Sequence, residues 1–215
     1  MHNWNYNLKG MKALLINGSP RQHGNTYIAL KEVADRLAEN GVESEIYWIG
    51  NKPVQGCIAC NACVKKGFCT RGDELYLDVL NKLKESDALI VGSPTYFGGP
   101  TGSLCALLDR VFYSCAADLE NKVWSSVVIC RRAGASVAFQ RLNMYADMRN
   151  MIHATSQYWN IAYGWKNGET SEDKEGLQTM RTLADNVAWL IKCVKGRTNE
   201  LHPREKWEIY NYIRK

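Results

Sequence analysis

From Met11 onward, short apolar runs alternate with stretches of helical periodicity. Residues 12–18 (KALLING) are a continuous apolar run, as expected of a strand buried on both faces. A turn-rich loop follows. Leu30, Val33, Ala34 and Leu37 then recur at i, i+3, i+4 and i+7, ahead of a stop at Gly41, which predicts an amphipathic helix. Residues 44–49 (SEIYWI) read as a second strand. Asp73 opens a helix with Tyr76, Val79, Leu80 and Leu83 on one face. Residues 87–93 form a third strand. Pro100 and Thr101 start a helix through Leu104, Leu107, Leu108 and Val111. Residues 124–130 make a fourth strand, 139–151 a helix, and 157–163 a fifth strand. The last long helix, 173–194, carries Met180, Leu183, Ala184, Val187, Leu190, Ile191 and Val194 in register.

Five strands alternating with helices predict an α/β fold, a doubly wound five-stranded parallel sheet with right-handed crossovers. In such sheets ligands sit beyond the carboxyl ends of the strands. The loops after Ile16, Val91 and Ile129 are therefore the ones expected to bind. The chain divides into an extension (1–10), one domain (11–195) and a C-terminal helical arm (196–215). In the arm, Trp207, Tyr210 and Ile213 share one helical side after Pro203. A helix this short needs something to pack against, its own domain or a partner subunit.

Composition narrows the class. The 215 residues are 46% hydrophobic and 23% charged, with a net charge of +5. That is an ordinary globular balance with a slight positive bias. No nucleic-acid-binding module accompanies the charge, so no nucleic-acid partner is expected. No window reaches the roughly 18 apolar residues of a membrane span, and the polar start has no signal-like apolar region. The expected compartment is the cytoplasm, where thiols stay reduced.

Two loops carry candidate chemistry. Residues 17–26 (NGSPRQHGNT) match neither a Walker loop nor G-x-G-x-x-G. They offer Ser19, Asn25 and Thr26 as short hydrogen-bonding side chains and Arg21 as a charged donor, and they run straight into a helix N-terminus. That combination suits a phosphate monoester bound without metal. A receiver-type signalling domain would need acidic residues where Asn17 and Gly18 stand. His23 reads as a surface residue. The second loop, 92–102 (GSPTYFGGPTG), sets aromatics and flexible backbone at a strand's carboxyl end, a platform for a flat heterocycle.

These segments, together with residues 158–164 (YWNIAYG), resemble the flavodoxin-like NAD(P)H-dependent FMN reductases over residues 11–195. Met11 looks like that family's usual start. The resemblance implies FMN as cofactor, with Ser19, Arg21, Asn25 and Thr26 at its phosphate. It places Pro94, Thr95, Tyr96, Phe97 and Gly98 along the isoalloxazine. The loop Arg131–Ala135, with Arg132 and Gly134, is expected at the ring's other edge. NAD(P)H is implied as donor by the resemblance alone.

The remaining signal is a cysteine run. Cys57, Cys60, Cys63 and Cys69 are spaced C-x2-C-x2-C-x5-C. The first three match the tight run of bacterial ferredoxins, and the insert as a whole resembles the iron–sulfur flavoprotein branch. Zinc prefers two knuckles separated by a longer loop. A four-iron cluster is the leading reading, with zinc and free thiols as alternatives. Lys65, Lys66 and Arg71 stand by to offset anionic charge. Cys105, Cys115, Cys130 and Cys193 lack ligand spacing and read as small apolar groups. No nucleophile–base pair is evident, as expected where a flavin carries the chemistry.

Three functions follow in order. The first is an FMN-dependent oxidoreductase passing electrons between the flavin and a cluster on the 57–69 loop. The second is an NAD(P)H-dependent FMN, quinone or azo reductase without a cluster. The third is a non-catalytic, zinc-stabilised interaction module. Small-molecule or protein electron donors and acceptors are the expected partners. A homodimer or homotetramer with its interface near the flavin is expected as well.

Overall fold

A computed structural model describes residues 10–114 and 118–197, together with 200, 201, 205, 206 and 208. The extension before residue 10, Cys115, and the arm residues Trp207, Tyr210 and Ile213 lie outside the described residues.

The chain runs β1 (Lys12–Asn17), α1 (Asn25–Glu39), β2 (Glu43–Trp48), α2 (Ala62–Lys66), α3 (Glu74–Glu85), β3 (Ala88–Pro94) and α4 (Gly102–Ser114). It continues with β4 (Val123–Cys130), α5 (Ala135–Asp147), β5 (Ile152–His153), β6 (Ile161–Tyr163), a single 3-10 turn (Glu169–Glu172) and α6 (Lys174–Gly196). The sheet is parallel throughout, in the order β2-β1-β3-β4-β5, with β6 also pairing β4. This is the flavodoxin-like order, whose switch point falls between β1 and β3.

Both faces of the sheet are covered, which is why its central strands read as unbroken apolar runs. Leu14, Ile16, Leu89, Val91, Trp124 and Val128 point to one face and pack with α3, α4 and α5. Ala13, Leu15, Ala88, Ile90, Val123, Val127 and Ile129 point to the other and pack with α1 and α6. Arg36 of α1 reaches Asp185 of α6 at 2.7 Å, and Asn40 reaches the same carboxylate at 2.7 Å. These contacts lock the two helices on that face together.

Two expectations are corrected. The fifth strand is not one element over 157–163. Only its last three residues form a strand, β6, and a separate two-residue strand, β5, precedes it at Ile152–His153; the two pair with opposite ends of β4, Ile152 with Val123 and Ile161 with Val128. Between them the chain bulges away. Polar side chains fill the gap: Asn160 Nδ2 donates to Ser125 Oγ at 2.9 Å, and Ser125 Oγ donates to the Ala154 carbonyl at 3.0 Å. The preceding helix also starts four residues earlier than its apolar pattern suggests. Gly134, in the left-handed region at φ 85°, serves as its N-cap, and the helix ends at Asp147.

Candidate functional site

Asn17, fully buried at the end of β1, shapes the first loop with its side chain. Its Oδ1 accepts from Ser19 N at 3.1 Å and its Nδ2 donates to the Gln22 carbonyl at 2.9 Å. Ser19 Oγ accepts from Arg21 N at 3.1 Å. Trp48, at the end of β2, pins the loop from outside by donating Nε1–H to the Ser19 carbonyl at 2.8 Å. The loop thus enters α1 with a fixed shape. The first turn of α1 has no side-chain cap and no acidic residue. Its free N–H groups and positive dipole end face an open pocket, the arrangement that attracts an anion.

That pocket has a volume of about 520 Å³. The carboxyl ends of β1, β3, β4 and β6 all contribute to it: Ser19, Arg21, Asn25 and Thr26; Pro94, Thr95 and Tyr96; Ile129, Cys130 and Arg131; and Gly164 to Asn167. Its lining carries Arg21, Arg131 and Lys166 and, among the described residues, no carboxylate. The Arg131 guanidinium lies 4.9 Å from the centre of the Trp165 ring, a cation–π contact that steadies both side chains at the rim. Burial pushes the Cys130 thiol up from its ordinary value, so it stays protonated.

Thr95 is the anomaly in this wall. Its N–H donates to the Ile129 carbonyl at 2.7 Å, but its buried hydroxyl has no partner. An unpaired buried hydroxyl costs roughly 1–3 kcal/mol, so a group left this way at a pocket points to a missing acceptor or donor. The next residues fold back in a tight turn in which Tyr96 and Gly99 exchange N–H···O bonds of 2.8 and 2.9 Å. Phe97 and Gly98 take φ 50° and 80° at its tip. Glycine tolerates this; phenylalanine is held there at a cost of roughly 1–2 kcal/mol, with its ring fully in solvent.

The expected site residues separate on this frame. Ser19, Arg21, Asn25, Thr26, Pro94, Thr95 and Tyr96 come together around one pocket. Phe97 and Gly98 do not line it. Arg132 and Gly134 border a neighbouring cavity of about 380 Å³ that meets the first at Cys130. The Asn25 side chain is committed elsewhere: Nδ2 donates to the Lys166 carbonyl at 2.9 Å, and Oδ1 accepts from Gly168 N at 2.9 Å and Thr170 N at 3.3 Å. It ties the start of α1 to the segment after β6, where Gly164 passes so close that a Cβ would fall 2.7 Å from Asn25 Nδ2. Only its position at the helix start remains for an anion. Of residues 164–167 only Gly164 belongs to a motif read from the sequence; Trp165, Lys166 and Asn167 follow β6 into the pocket, as the rule that loops after parallel strands emerge at one rim requires.

The cysteines gather at a second place. Cys57, Cys60, Cys63 and Cys69 line one small cavity with Arg71, Arg110, Tyr113 and Ser114. Left-handed backbone at Ala59 and Asn61, φ 54° and 57°, turns the run back on itself. Ala59 N–H donates to Cys57 Sγ at 3.4 Å, and Tyr113 OH donates to Asn61 Oδ1 at 2.7 Å. Four thiols on one cavity, one already accepting a backbone N–H, fit the donor set of an iron–sulfur cluster. Among the described residues no three His, Cys, Asp or Glu side chains stand close enough to hold one ion, so ligation requires the thiols to converge. The loop leaves β2 at the rim that forms the pocket, but its thiols rest against the far turns of α4. Tyr113 is eleven residues beyond the helix start, about 16 Å along the axis at ~1.5 Å per residue.

Comparison with known proteins follows the same lines. The family model for NADPH-dependent FMN reductase matches residues 11–166. The chain is 34% identical over 193 residues to an iron–sulfur flavoprotein of Methanocaldococcus jannaschii, covering 86% of this chain and 100% of that one. It is 39% identical over 201 residues to an iron–sulfur flavoprotein of Archaeoglobus fulgidus, covering 86% and 98%. Among solved structures, RosB with bound 8-demethyl-8-formylriboflavin-5'-phosphate superposes with a TM-score of 0.67 at 15% identity, over 95% of this chain and 93% of that one. The last likeness speaks to the fold alone.

Proposed function

Because the chain belongs to the NADPH-dependent FMN reductase family, on the iron–sulfur flavoprotein branch, we propose that this FMN-dependent oxidoreductase holds its flavin in the 520 Å³ pocket. Bound FMN supplies hydride acceptance and one-electron transfer at a single centre. The first turn of α1, Ser19 and Arg21 take the phosphate, with Thr26 buried behind them and Arg131 and Lys166 adding positive potential. Thr95 and Tyr96 take the polar edge and face of the ring. The observation that carries this reading is the unpartnered Thr95 hydroxyl, set in a pocket whose charged lining residues are Arg21, Arg131 and Lys166, with no carboxylate among the described residues.

The test compares FMN with riboflavin on apoprotein by quenching of flavin fluorescence. Riboflavin lacks the phosphate, and each charge-assisted bond it forgoes is worth about 1.5–3 kcal/mol, so it should bind at least tenfold more weakly. Equal affinities would remove the phosphate from this site. FAD should bind no better than FMN, since nothing in the pocket lining reads as an adenine site.

The same reading extends to the thiol cavity. A four-iron cluster supplies one-electron transfer, and Cys57, Cys60, Cys63 and Cys69 would hold it. NAD(P)H as donor rests on the family. A second reading, a flavin reductase with free thiols, is favoured by the spread of those four side chains; iron analysis after anaerobic reconstitution separates the two. The exposed Tyr96 and Trp165 at the pocket, with Tyr158, Trp159 and Tyr163 at the neighbouring cavity, favour a homo-oligomer that covers the flavin. Light scattering that returns a monomer would end that part of the proposal. No helix among the described residues is long and apolar enough to cross a membrane. A cytoplasmic setting, where the exposed Cys57 and Cys60 stay reduced, suits this chemistry.

A further inference from the structure

Arg110 is an unusual residue for the middle of α4. It is only 2% exposed, on a helix whose neighbouring buried positions are Leu104, Leu107, Leu108 and Val111. A buried cation is expensive unless it is fully paired and hydrogen-bonded. Here the protein compensates it incompletely. Nη2 donates to both oxygens of Asp73 at 3.2 and 3.1 Å, but that carboxylate is itself 48% exposed. Nη1 reaches the Arg71 carbonyl at a long 3.3 Å. The guanidinium carbon stands 5.8 Å from the Tyr76 ring centre. Nε–H is buried with no partner. The cavity this side chain borders is the one lined by all four thiols of the 57–69 run.

We propose that the Arg110 guanidinium is the protein's own counter-charge and N–H donor to a cluster held by Cys57, Cys60, Cys63 and Cys69, and that it sets how readily that cluster is reduced. The inference rests on the reading of those thiols as cluster ligands. Ligating thiolates are anionic, and their sulfurs accept N–H donors; the net charge around a cluster and the hydrogen bonds to its sulfurs both tune its potential. Adding one electron makes the site more negative. A fixed cation beside it therefore favours the reduced form and raises the potential. Asp73 works against Arg110 by neutralising part of its charge. The two residues are thus expected to move the potential in opposite directions.

The experiment uses full-length protein reconstituted anaerobically with iron and sulfide, comparing wild type with Arg110→Met, Arg110→Lys and Asp73→Asn. Iron and FMN are counted per chain, and the midpoint potential is read by reductive titration followed by electron paramagnetic resonance. Met keeps the packing of α4, and Asn keeps an N-cap for α3. The expected order of potentials is Arg110→Met lowest, Arg110→Lys intermediate, wild type next and Asp73→Asn highest, with FMN content unchanged. If Arg110→Met takes up no iron, Arg110→Lys below wild type and Asp73→Asn above it carry the same test. Potentials that do not move, or that move in the same direction for Arg110→Lys and Asp73→Asn, overturn the role of Arg110. A wild type that takes up no iron overturns the cluster reading itself, and this inference with it.

Discussion

The Thr95 hydroxyl permits a prediction with two opposite signs. Thr95→Val keeps the branched shape and removes only the oxygen. Without FMN that oxygen is buried and unpaired, a penalty of roughly 1–3 kcal/mol. The variant apoprotein should therefore be more stable than wild type by about 1 kcal/mol or more, raising the melting temperature by about 2–4 °C per kcal/mol for a chain of this size. FMN binding should move the other way. The hydroxyl is already out of water before the flavin arrives, so the bond it makes is not discounted by fresh desolvation. Losing it should weaken FMN by about 1–3 kcal/mol, from roughly fivefold to 150-fold in Kd. The two effects nearly cancel in the complex, so the FMN-saturated proteins should melt within a degree or two of each other. Differential scanning calorimetry with and without FMN, together with a fluorescence titration, reads all three quantities. An apoprotein that melts at or below wild type, combined with an unchanged Kd, would refute the assignment of Thr95 to the flavin.

Three further outcomes are expected. Asn25→Ala breaks the tie between α1 and residues 166–170 and should cost about 1–3 kcal/mol of stability with FMN absent, a loss visible in urea melts of the apoprotein; an effect confined to FMN affinity would show that the side chain serves the phosphate instead. Cys60→Ser should abolish iron uptake on anaerobic reconstitution while FMN remains stoichiometric, because no residue lines both cavities. Asp185 is held below its ordinary value of 3.8, first by hydrogen bonding from Arg36. A depressed carboxylate contributes its stability above the unfolded value and loses it as pH falls through the folded one. Asp185→Asn should therefore flatten the acid limb of the stability curve below about pH 4, measured by chemical melts from pH 2.5 to 6.

Much of this fold is legible in the sequence because its central strands are buried on both sides. Lys12–Asn17, Ala88–Pro94 and Val123–Cys130 announce themselves as apolar runs. The helices that cover them show one clean stripe each. What stays hidden is local polar chemistry. The break after β5 depends on Ser125 and Asn160 satisfying backbone inside a gap, and nothing in their spacing marks it. The early start of α5 depends on one left-handed glycine. At the site, the two ligand loops could be read from residue type and position, since their geometry follows from where strands end. The side-chain commitments could not: Asn25 reads as a ligand until its partners at 166, 168 and 170 are seen. Arg110 sits among leucines in a helical stripe, and only its burial and its unpaired Nε single it out.

The broken fifth strand also bears on how the protein survives its own synthesis. A strand at the margin of a sheet presents a row of free N–H and C=O groups that another chain can extend. Here that margin offers two residues, then a bulge, then three. Opposite the bulge the Ser125 hydroxyl of β4 is bonded to the Ala154 carbonyl and to the Asn160 side chain, contacts that an incoming strand would have to displace. A continuous 157–163 strand, rich in tyrosine and tryptophan, would have been a flat and sticky template. Interrupting it lets the chain keep aromatic residues at the mouth of its pocket without offering nascent or heat-damaged copies a ladder on which to aggregate.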